Sequence, residues 1–322
     1  ILSFVAFNWK NILRLQTVST LFDADKIVYN FSNMKEAFLY NQLESSPSTY
    51  AFDEKIEPLP NNIIINGEKF NLENILAELD TTALVIIKDG NLIHESYYRG
   101  TKKNDLRISW SVAKSFMSGL YGKALESGNI GSIDDKVVKY VPSLVGSAYE
   151  EATIRNVLNM ASGITFNEDY MDPKSDINDM GRLLGLGGSM DHYAVNLKSK
   201  DIEPGERWKY VSIDTHIAAM VLREATGKNL HDLFNETYSN FLGFDVAPYY
   251  LTDGKNVAFA LGGLNLTTRD YAKFGQLFLQ NGIFNDMQII PSSWVSQSTN
   301  HSAPTIGDRG VGYGYQWWIP MP

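Results

Sequence analysis

The sequence predicts an α/β (α+β) fold in which strand-forming segments toward both ends enclose a mainly helical middle. The β-prone residues 83–88 and 92–98 flank Asp89 and Gly90, and an Asp-Gly pair between such segments favours an antiparallel hairpin. Residues 131–210 have helix and loop character, after which a helix and a strand-like apolar segment return. We therefore expect an antiparallel sheet flanked by helices, with a helical insertion.

The remaining elements follow in chain order. Residues 10–70 lack strong periodicity and predict a segment that wraps the fold. A helix should begin near Ser111 and end near Ser127, because Gly128 favours a stop. Glycines at positions 181–188 predict an irregular lid or binding loop. Further helices are expected at residues 153–160, 214–226, 229–240 and 267–280.

Two interleaved domains are expected for a chain of 322 residues. Residues 1–110 and 255–322 would form a discontinuous α/β domain, and residues 111–254 a mainly helical domain that carries the substrate loop. The chain stops soon after a strand-like segment, so we expect the α/β domain to lack its C-terminal strands.

Composition excludes several classes of function. The net charge of −9 and the pI near 5.1 argue against a nucleic-acid partner. Without cysteine, the chain has no thiol nucleophile, disulfide or thiolate metal site. Its five histidines form no metal-binding motif, so neither a metal nor a cofactor is predicted.

The first nine residues are mostly apolar and do not start with methionine. They are too few to span a bilayer but could end a signal segment or an upstream membrane anchor. This predicts a periplasmic or otherwise extracytoplasmic location. A cytoplasmic location stays open, because a cysteine-free chain fits either compartment, and the oligomeric state has no signal in the sequence.

Ser111-Val112-Ala113-Lys114 is the segment with the clearest chemistry. Residues i and i+3 share a helix face, so the amine of Lys114 can reach the hydroxyl of Ser111. A lysine kept neutral by burial can take the proton of a serine and make it a nucleophile. The alternative is that Ser111 caps the helix and Lys114 faces solvent.

A second Ser-x-x-Lys spacing lies at Ser32 and Lys35. Ser32 stands among asparagines, where a helix N-cap is the preferred interpretation. Tyr210, followed by Val211 and Ser212, is a candidate proton relay if a nearby positive charge lowers the pKa of its phenol. A tyrosine that only opens a helix is the alternative.

These segments together resemble the serine β-lactamase-like superfamily, which includes class C β-lactamases and family VIII carboxylesterases. Within it, the chain resembles the 6-aminohexanoate-dimer hydrolases (nylon-oligomer hydrolases). The likeness runs from about Phe22 to Ile319 and rests on the segments that contain Ser111-Val112-Ala113-Lys114, Asn159-Met160-Ala161-Ser162-Gly163, Asn167-Glu168-Asp169-Tyr170, Tyr210-Val211-Ser212, Gly262-Gly263-Leu264 and Gly312-Tyr313-Gly314-Tyr315-Gln316-Trp317-Trp318.

The resemblance implies a β-lactamase/transpeptidase-like fold and a role for each matched residue. Ser111 would be the acylated nucleophile and half of the oxyanion hole, Lys114 its base, and Tyr210 the proton donor to the leaving group. Tyr170 would close over substrate, and Ser212 would line the substrate site. Ser162 matches a turn motif, for which we favour a structural role.

Three departures from the family pattern bear on function. Ser212 stands where β-lactamases usually carry asparagine. Gly181 stands where some nylon hydrolases place a carboxylate for the substrate amine, although Asp176 or Asp179 could substitute. The family's third motif, a Lys-Thr-Gly-like or His-x-Gly-like strand, has no convincing match and is expected beyond Trp318.

The predicted function is therefore a serine hydrolase that acts through an acyl-enzyme on a small-molecule ester or linear amide. One alternative is a β-lactamase or D-amino-acid peptidase. The other is a catalytically silent binding protein of the same fold. An α/β-hydrolase is disfavoured because the sequence has no Gly-x-Ser-x-Gly.

Overall fold

The computed structural model describes residue 14 and residues 16–304 and 310–320. The apolar start at residues 1–9, on which the predictions of an anchor and a location rest, lies outside them. The strands are β1 (Leu39–Gln42), β2 (Asp53–Glu54), β3 (Asn62–Ile65), β4 (Glu68–Asn71), β5 (Ala83–Lys88), β6 (Asn91–Tyr97), β7 (Arg107–Ile108), β8 (Tyr249–Thr252), β9 (Leu264–Leu266), β10 (Ile283–Phe284), β11 (Met287–Gln288), β12 (Val311–Tyr313) and β13 (Trp318–Pro320).

Short 3-10 turns lie at Met34–Glu36, Val137–Lys139 and Pro142–Leu144, and the α-helices lie elsewhere. They are α1 (Ile27–Ser32), α2 (Leu72–Glu78), α3 (Val112–Glu126), α4 (Ile154–Leu158), α5 (Asp176–Gly185), α6 (Met190–Val195), α7 (Ile213–Thr226), α8 (Leu230–Phe234), α9 (Asn240–Leu242), α10 (Thr268–Leu279) and α11 (Ser292–Ser298).

Antiparallel pairing dominates the sheets, which confirms the predicted mixed architecture. A four-stranded sheet has the order β1-β8-β9-β7, and a three-stranded sheet has the order β2-β6-β5. Only the short β2 runs parallel to its neighbour among the described strands. β1 comes from the segment predicted merely to wrap the fold. Its pairing with distant β8 is a contact that local periodicity does not reveal.

The predicted hairpin forms at β5 and β6. Lys88 pairs with Asn91, so Asp89 and Gly90 make a two-residue turn with φ values of 51° and 78°. Two successive left-handed residues define the turn type whose twist matches that of paired strands. Helix α10 packs against β5 and covers this sheet.

Helices α3 and α7 form the buried centre of the helical region and contact each other directly. α4 and α6 also pack against α7. Phe116 of α3 stacks on Phe274 of α10, with ring centroids 3.6 Å apart, and so joins this region to the sheet-covering helix. The division into two domains at residues 111 and 254 stays a prediction.

The expectation of irregular structure across residues 181–188 is partly wrong. Helix α5 extends to Gly185, because Ser175 caps it and Ile177, Met180 and Leu184 bury one face. Apolar residues at this spacing stabilise a helix despite the cost of its glycines.

The helix expected at residues 229–240 forms over residues 230–242, but its middle turn is not α-helical. After Phe234 the chain makes a π-helical turn at Asn235–Ser239 before α9 begins. The side-chain oxygen Oδ1 of Asn235 accepts hydrogen bonds from the Ser239 hydroxyl and from the distant Glu44 N–H. Tyr238 is buried and donates to the Phe116 carbonyl at 2.7 Å, so it packs between this helical segment and α3.

Within residues 16–304 and 310–320, no helix combines the length and apolar character that crossing a bilayer requires.

Candidate active site

The turn that presents Ser111 is strained. Trp110 has a φ of 41°, a left-handed conformation that is costly for a bulky side chain. Its ring packs against Phe31 and Phe22 at centroid distances of 5.4 and 6.0 Å. Aromatic packing therefore holds the turn in place. Because Ser111 opens α3, its N–H belongs to the amides that lack an intrahelical partner and can face an anion.

Lys114 lies beneath Ser111 and is 2% exposed. Its Nζ is 3.0 Å from Ser111 Oγ and 2.8 Å from the Leu261 carbonyl oxygen. Burial lowers the pKa of Lys114 to about 7, although the negative charge of Glu168 raises it in part. A large fraction of this lysine is therefore neutral near neutral pH.

The surroundings separate the two Ser-x-x-Lys spacings. The Ser111 hydroxyl makes no capping bond to α3, and Lys114 does not face solvent. Ser32 is the last residue of α1 rather than its N-cap, so that interpretation is wrong. Its hydroxyl accepts a hydrogen bond from Arg107 at 2.9 Å, and Lys35 is exposed.

A glycine turn before β9 brings the Leu261 carbonyl to Lys114. A Cβ atom on Gly263 would lie 2.8 Å from the Phe259 carbonyl oxygen and 2.9 Å from the Phe259 Cβ. Such contacts are too short for any side chain, so this tight turn requires glycine at position 263.

Tyr210 lies beside Ser111 and Lys114. Its ring centroid is 5.3 Å from Lys114 Nζ. Burial raises the pKa of Tyr210 to about 12, although hydrogen bonding to the hydroxyls of Ser111 and Ser212 lowers it in part. The relay expected from the sequence was conditional on a lowered pKa, whereas burial raises the pKa of Tyr210, and the role of this residue in catalysis stays a prediction. Tyr210 is protonated near neutral pH and can donate its proton.

The β12–β13 hairpin places an aromatic wall beside Tyr210. Trp318 stacks on Tyr210 at 5.6 Å with an interplanar angle of 20°, and Tyr313 meets the same ring edge-on at 6.3 Å. Trp208 packs against all three rings. Trp318 is 50% exposed, so part of this wall is open to an apolar group of a substrate.

Tyr170 and Ser212 meet through Glu168. The Glu168 Oε1 atom accepts hydrogen bonds from the Tyr170 hydroxyl at 2.9 Å and from the Ser212 hydroxyl. Its Oε2 atom accepts the Ser212 N–H at 2.9 Å. Tyr170 is 61% exposed, whereas Ser212 is buried. The expected contact of both residues with substrate stays a prediction.

Glu168 was not identified from the sequence as a site residue, although it belongs to one of the segments that carry the family resemblance. A carboxylate in a long loop carries no local sign that its partner lies 44 residues away.

The remaining candidates near the site serve the structure. The Ser162 hydroxyl is buried and donates to Asp214 Oδ1 at 2.7 Å, as the structural interpretation expects. Asp176 accepts the Asn167 N–H at 2.7 Å, and Asp179 pairs with Arg182. Both proposed substitutes for a carboxylate at Gly181 are thus engaged within or next to α5. In the part of the chain that the structure describes, no three acidic or histidine side chains converge as a metal site.

The β-lactamase family profile matches residues 72–320. This match covers most of the chain, which therefore belongs to the β-lactamase family, as the resemblance predicted. A class C β-lactamase shares the fold, with a TM-score of 0.58 at 16% identity over 77% of this chain and 71% of that one.

Within this family the chain is related to the 6-aminohexanoate-dimer hydrolases. The enzyme of that name from Paenarthrobacter ureafaciens is 27% identical over 261 residues, which cover 77% of this chain and 66% of the relative. A Bacillus anthracis protein that carries the same name provisionally has a TM-score of 0.84 at 26% identity, over 94% of this chain and 82% of that one.

Proposed function

We propose that this protein is a serine hydrolase that acts through an acyl-enzyme on carboxylic esters or small linear amides. The observation that carries the proposal is the buried amine of Lys114, 3.0 Å from the hydroxyl of Ser111, with a pKa of about 7. A neutral amine at that distance is a competent base for the serine proton. Family membership supports the same chemistry.

In the proposed reaction, Ser111 Oγ forms a bond to the carbonyl carbon of the substrate while its proton passes to Lys114 Nζ. The Ser111 N–H donates to the developing oxyanion. When the bond to the leaving group breaks, Tyr210 delivers a proton to the departing oxygen or nitrogen. Lys114 then gives the proton that it took from Ser111 to Tyr210. Water then attacks the acyl carbon and gives a proton to Lys114 and Tyr210. The bond from the acyl carbon to Ser111 Oγ breaks, this proton returns to Oγ, and the carboxylic acid leaves.

The surroundings of the pair support neutral substrates. Both oxygens of Glu168 already accept hydrogen bonds from Tyr170 and Ser212, and position 181 is glycine. The half-exposed Trp318 offers an apolar contact beside Tyr210. Serine at position 212, where β-lactamases usually carry asparagine, supports esters and simple amides over β-lactams.

Three substrates test the proposal on wild type and on Ser111→Ala: a short-chain p-nitrophenyl ester, the linear 6-aminohexanoate dimer and a chromogenic cephalosporin. We expect the highest kcat/KM for the ester, and loss of the activity in Ser111→Ala. A strong preference for the cephalosporin would instead indicate a β-lactamase. The absence of turnover of all three substrates, together with the absence of a covalent fluorophosphonate adduct on Ser111, would indicate a binding protein.

A further inference from the structure

We propose that Glu168 is a positioning residue of this site, which ties the substrate loop (residues 167–175) to the start of α7 beside Tyr210 and Lys114. This inference rests on the proposed hydrolase function and adds to it a residue that acts through its neighbours. The family resemblance of the segment that contains Glu168 implied no role for this residue.

Glu168 accepts three hydrogen bonds, two of which join the loop to α7. Glu168 accepts from the Tyr170 hydroxyl on the loop side, and from both the hydroxyl and the N–H of Ser212 on the helix side. Other bonds of the loop, such as those from Asn178 to the carbonyls of Tyr170 and Asp172, stay within the loop and α5. Glu168 thus joins segments that are far apart in sequence.

The helix side of this connection bears directly on catalysis. Ser212 follows Tyr210 by two residues, and its hydroxyl, like that of Ser111, lowers the pKa of Tyr210 in part. Loss of Glu168 would leave the buried Ser212 without its acceptor and release Tyr170 from the helix. Buried donors without an acceptor are costly, so the segment that holds Tyr210 would shift.

Glu168 also acts through its charge. The groups that feel its negative charge are Lys114, Tyr149, Tyr170, Tyr210 and Asp214. Lys114 is the cation in this set, and the charge of Glu168 raises the pKa of Lys114 against the effect of burial. Removal of the charge should therefore let Lys114 lose its proton at lower pH, an effect that a purely structural brace would not have.

The test compares Glu168→Gln, Glu168→Asp and the control Asp169→Asn in steady-state kinetics across pH. Asp169 lies next in the same loop, and its Oδ1 accepts the Met171 N–H at 2.9 Å, which an asparagine carbonyl can also do. Asp169→Asn and Glu168→Gln each remove one negative charge. The two variants differ in the position of the removed charge and in the hydrogen bonds that are lost.

For Glu168→Gln we expect kcat to fall on the order of 10-fold and the acid limb of kcat/KM to move to lower pH. Glu168→Asp keeps the charge but shortens the reach, so kcat should fall while the acid limb stays. This variant also tests the inference if Glu168→Gln does not fold. Asp169→Asn should stay within about 2-fold of wild type at every pH.

Wild-type kcat and an unmoved acid limb in Glu168→Gln would overturn the inference. If Ser111→Ala abolishes turnover in the same assay, the proposed function survives that result. The pH dependence of fluorophosphonate labelling at Ser111 gives a second readout that needs no substrate. If wild type neither reacts with the fluorophosphonate nor turns over substrate, the proposed function is contradicted, and this inference with it.

Discussion

At the scale of residues, burial separates the two ionisable groups beside Ser111. It lowers the pKa of Lys114 to about 7 and raises that of Tyr210 to about 12, because it disfavours the charged form of each. The lysine thereby gains basic character and the tyrosine remains an acid. Opposite shifts of two neighbouring groups are the pattern expected of an acid–base pair, and they support the roles proposed for Lys114 and Tyr210.

Ser111 and Lys114 should act as one unit. We expect Ser111→Ala and Lys114→Ala each to lower kcat/KM by on the order of 10³-fold or more, and the double variant to lose little beyond that. Lys35→Ala is the matched control, because Lys35 has the same spacing to a serine but is exposed. Nearly full activity of Lys114→Ala would rule out the proposed base.

The pH profile should report the ionisation of Lys114. The base is neutral above its pKa, so kcat/KM should rise with pH and level off above about 7. Initial rates with a neutral ester between about pH 5 and pH 9 check this expectation. A profile that is flat through this range, or that falls with rising pH, would show that another group supplies the base.

At the scale of elements, Gln316 anchors the β12–β13 hairpin that carries the aromatic wall. Its side chain accepts from Thr215 at 2.6 Å and donates to the carbonyls of Val157 and Leu158 at 3.1 and 3.0 Å. Its carbonyl accepts from Ser115 at 2.9 Å. The buried side-chain amide thus connects the hairpin to α4 and α7, and the backbone carbonyl connects it to α3.

Gln316→Ala should lower the free energy of unfolding by about 2–4 kcal/mol, because it leaves buried donors and acceptors without partners. Gln297→Ala, at an exposed position of α11, should change it by no more than about 0.5 kcal/mol. Urea titrations of both variants against wild type measure the difference. Equal stabilities would show that the hairpin does not depend on this amide.

The elements that the sequence predicted are those with local signals. Asp89-Gly90 marks its hairpin by turn chemistry, and α3, α7 and α10 are continuous helices at the expected positions. The pairing of β1 with β8 and the bonds of Glu168 to Ser212 join residues far apart in sequence. Such contacts depend on tertiary packing, which explains why the serine and lysine were predictable and Glu168 was not.

At the scale of the whole molecule, the start of α7 contains a buried carboxyl group, Asp214. Its Oδ1 accepts hydrogen bonds from Tyr149 and Ser162, both at 2.7 Å, while its Oδ2 has no partner among the described residues. Burial raises the pKa of Asp214 to about 7, although these two hydroxyls lower it in part. This carboxyl group links the stability of the fold to pH.

In the folded state Asp214 keeps its proton up to about pH 7, whereas in an unfolded chain it loses the proton near pH 4. Its contribution to stability is complete below about pH 4 and is lost as pH rises through 7. Asp214→Asn does not titrate, so relative to wild type it should gain on the order of a few kcal/mol between about pH 4 and pH 9.

Urea unfolding of both proteins at several pH values measures this difference. Asp286→Asn, at an exposed turn position, is the control and should track wild type throughout. Parallel curves for wild type and Asp214→Asn would show that the carboxyl group ionises normally in the fold.

The most direct test of the central claim is mass spectrometry of the folded protein after treatment with a fluorophosphonate probe near pH 8. We predict one covalent adduct on the peptide that contains Ser111, no such adduct in Ser111→Ala, and much slower labelling in Lys114→Ala. The absence of an adduct at Ser111, or labelling that persists at full rate without Lys114, would contradict the assignment of this pair as nucleophile and base.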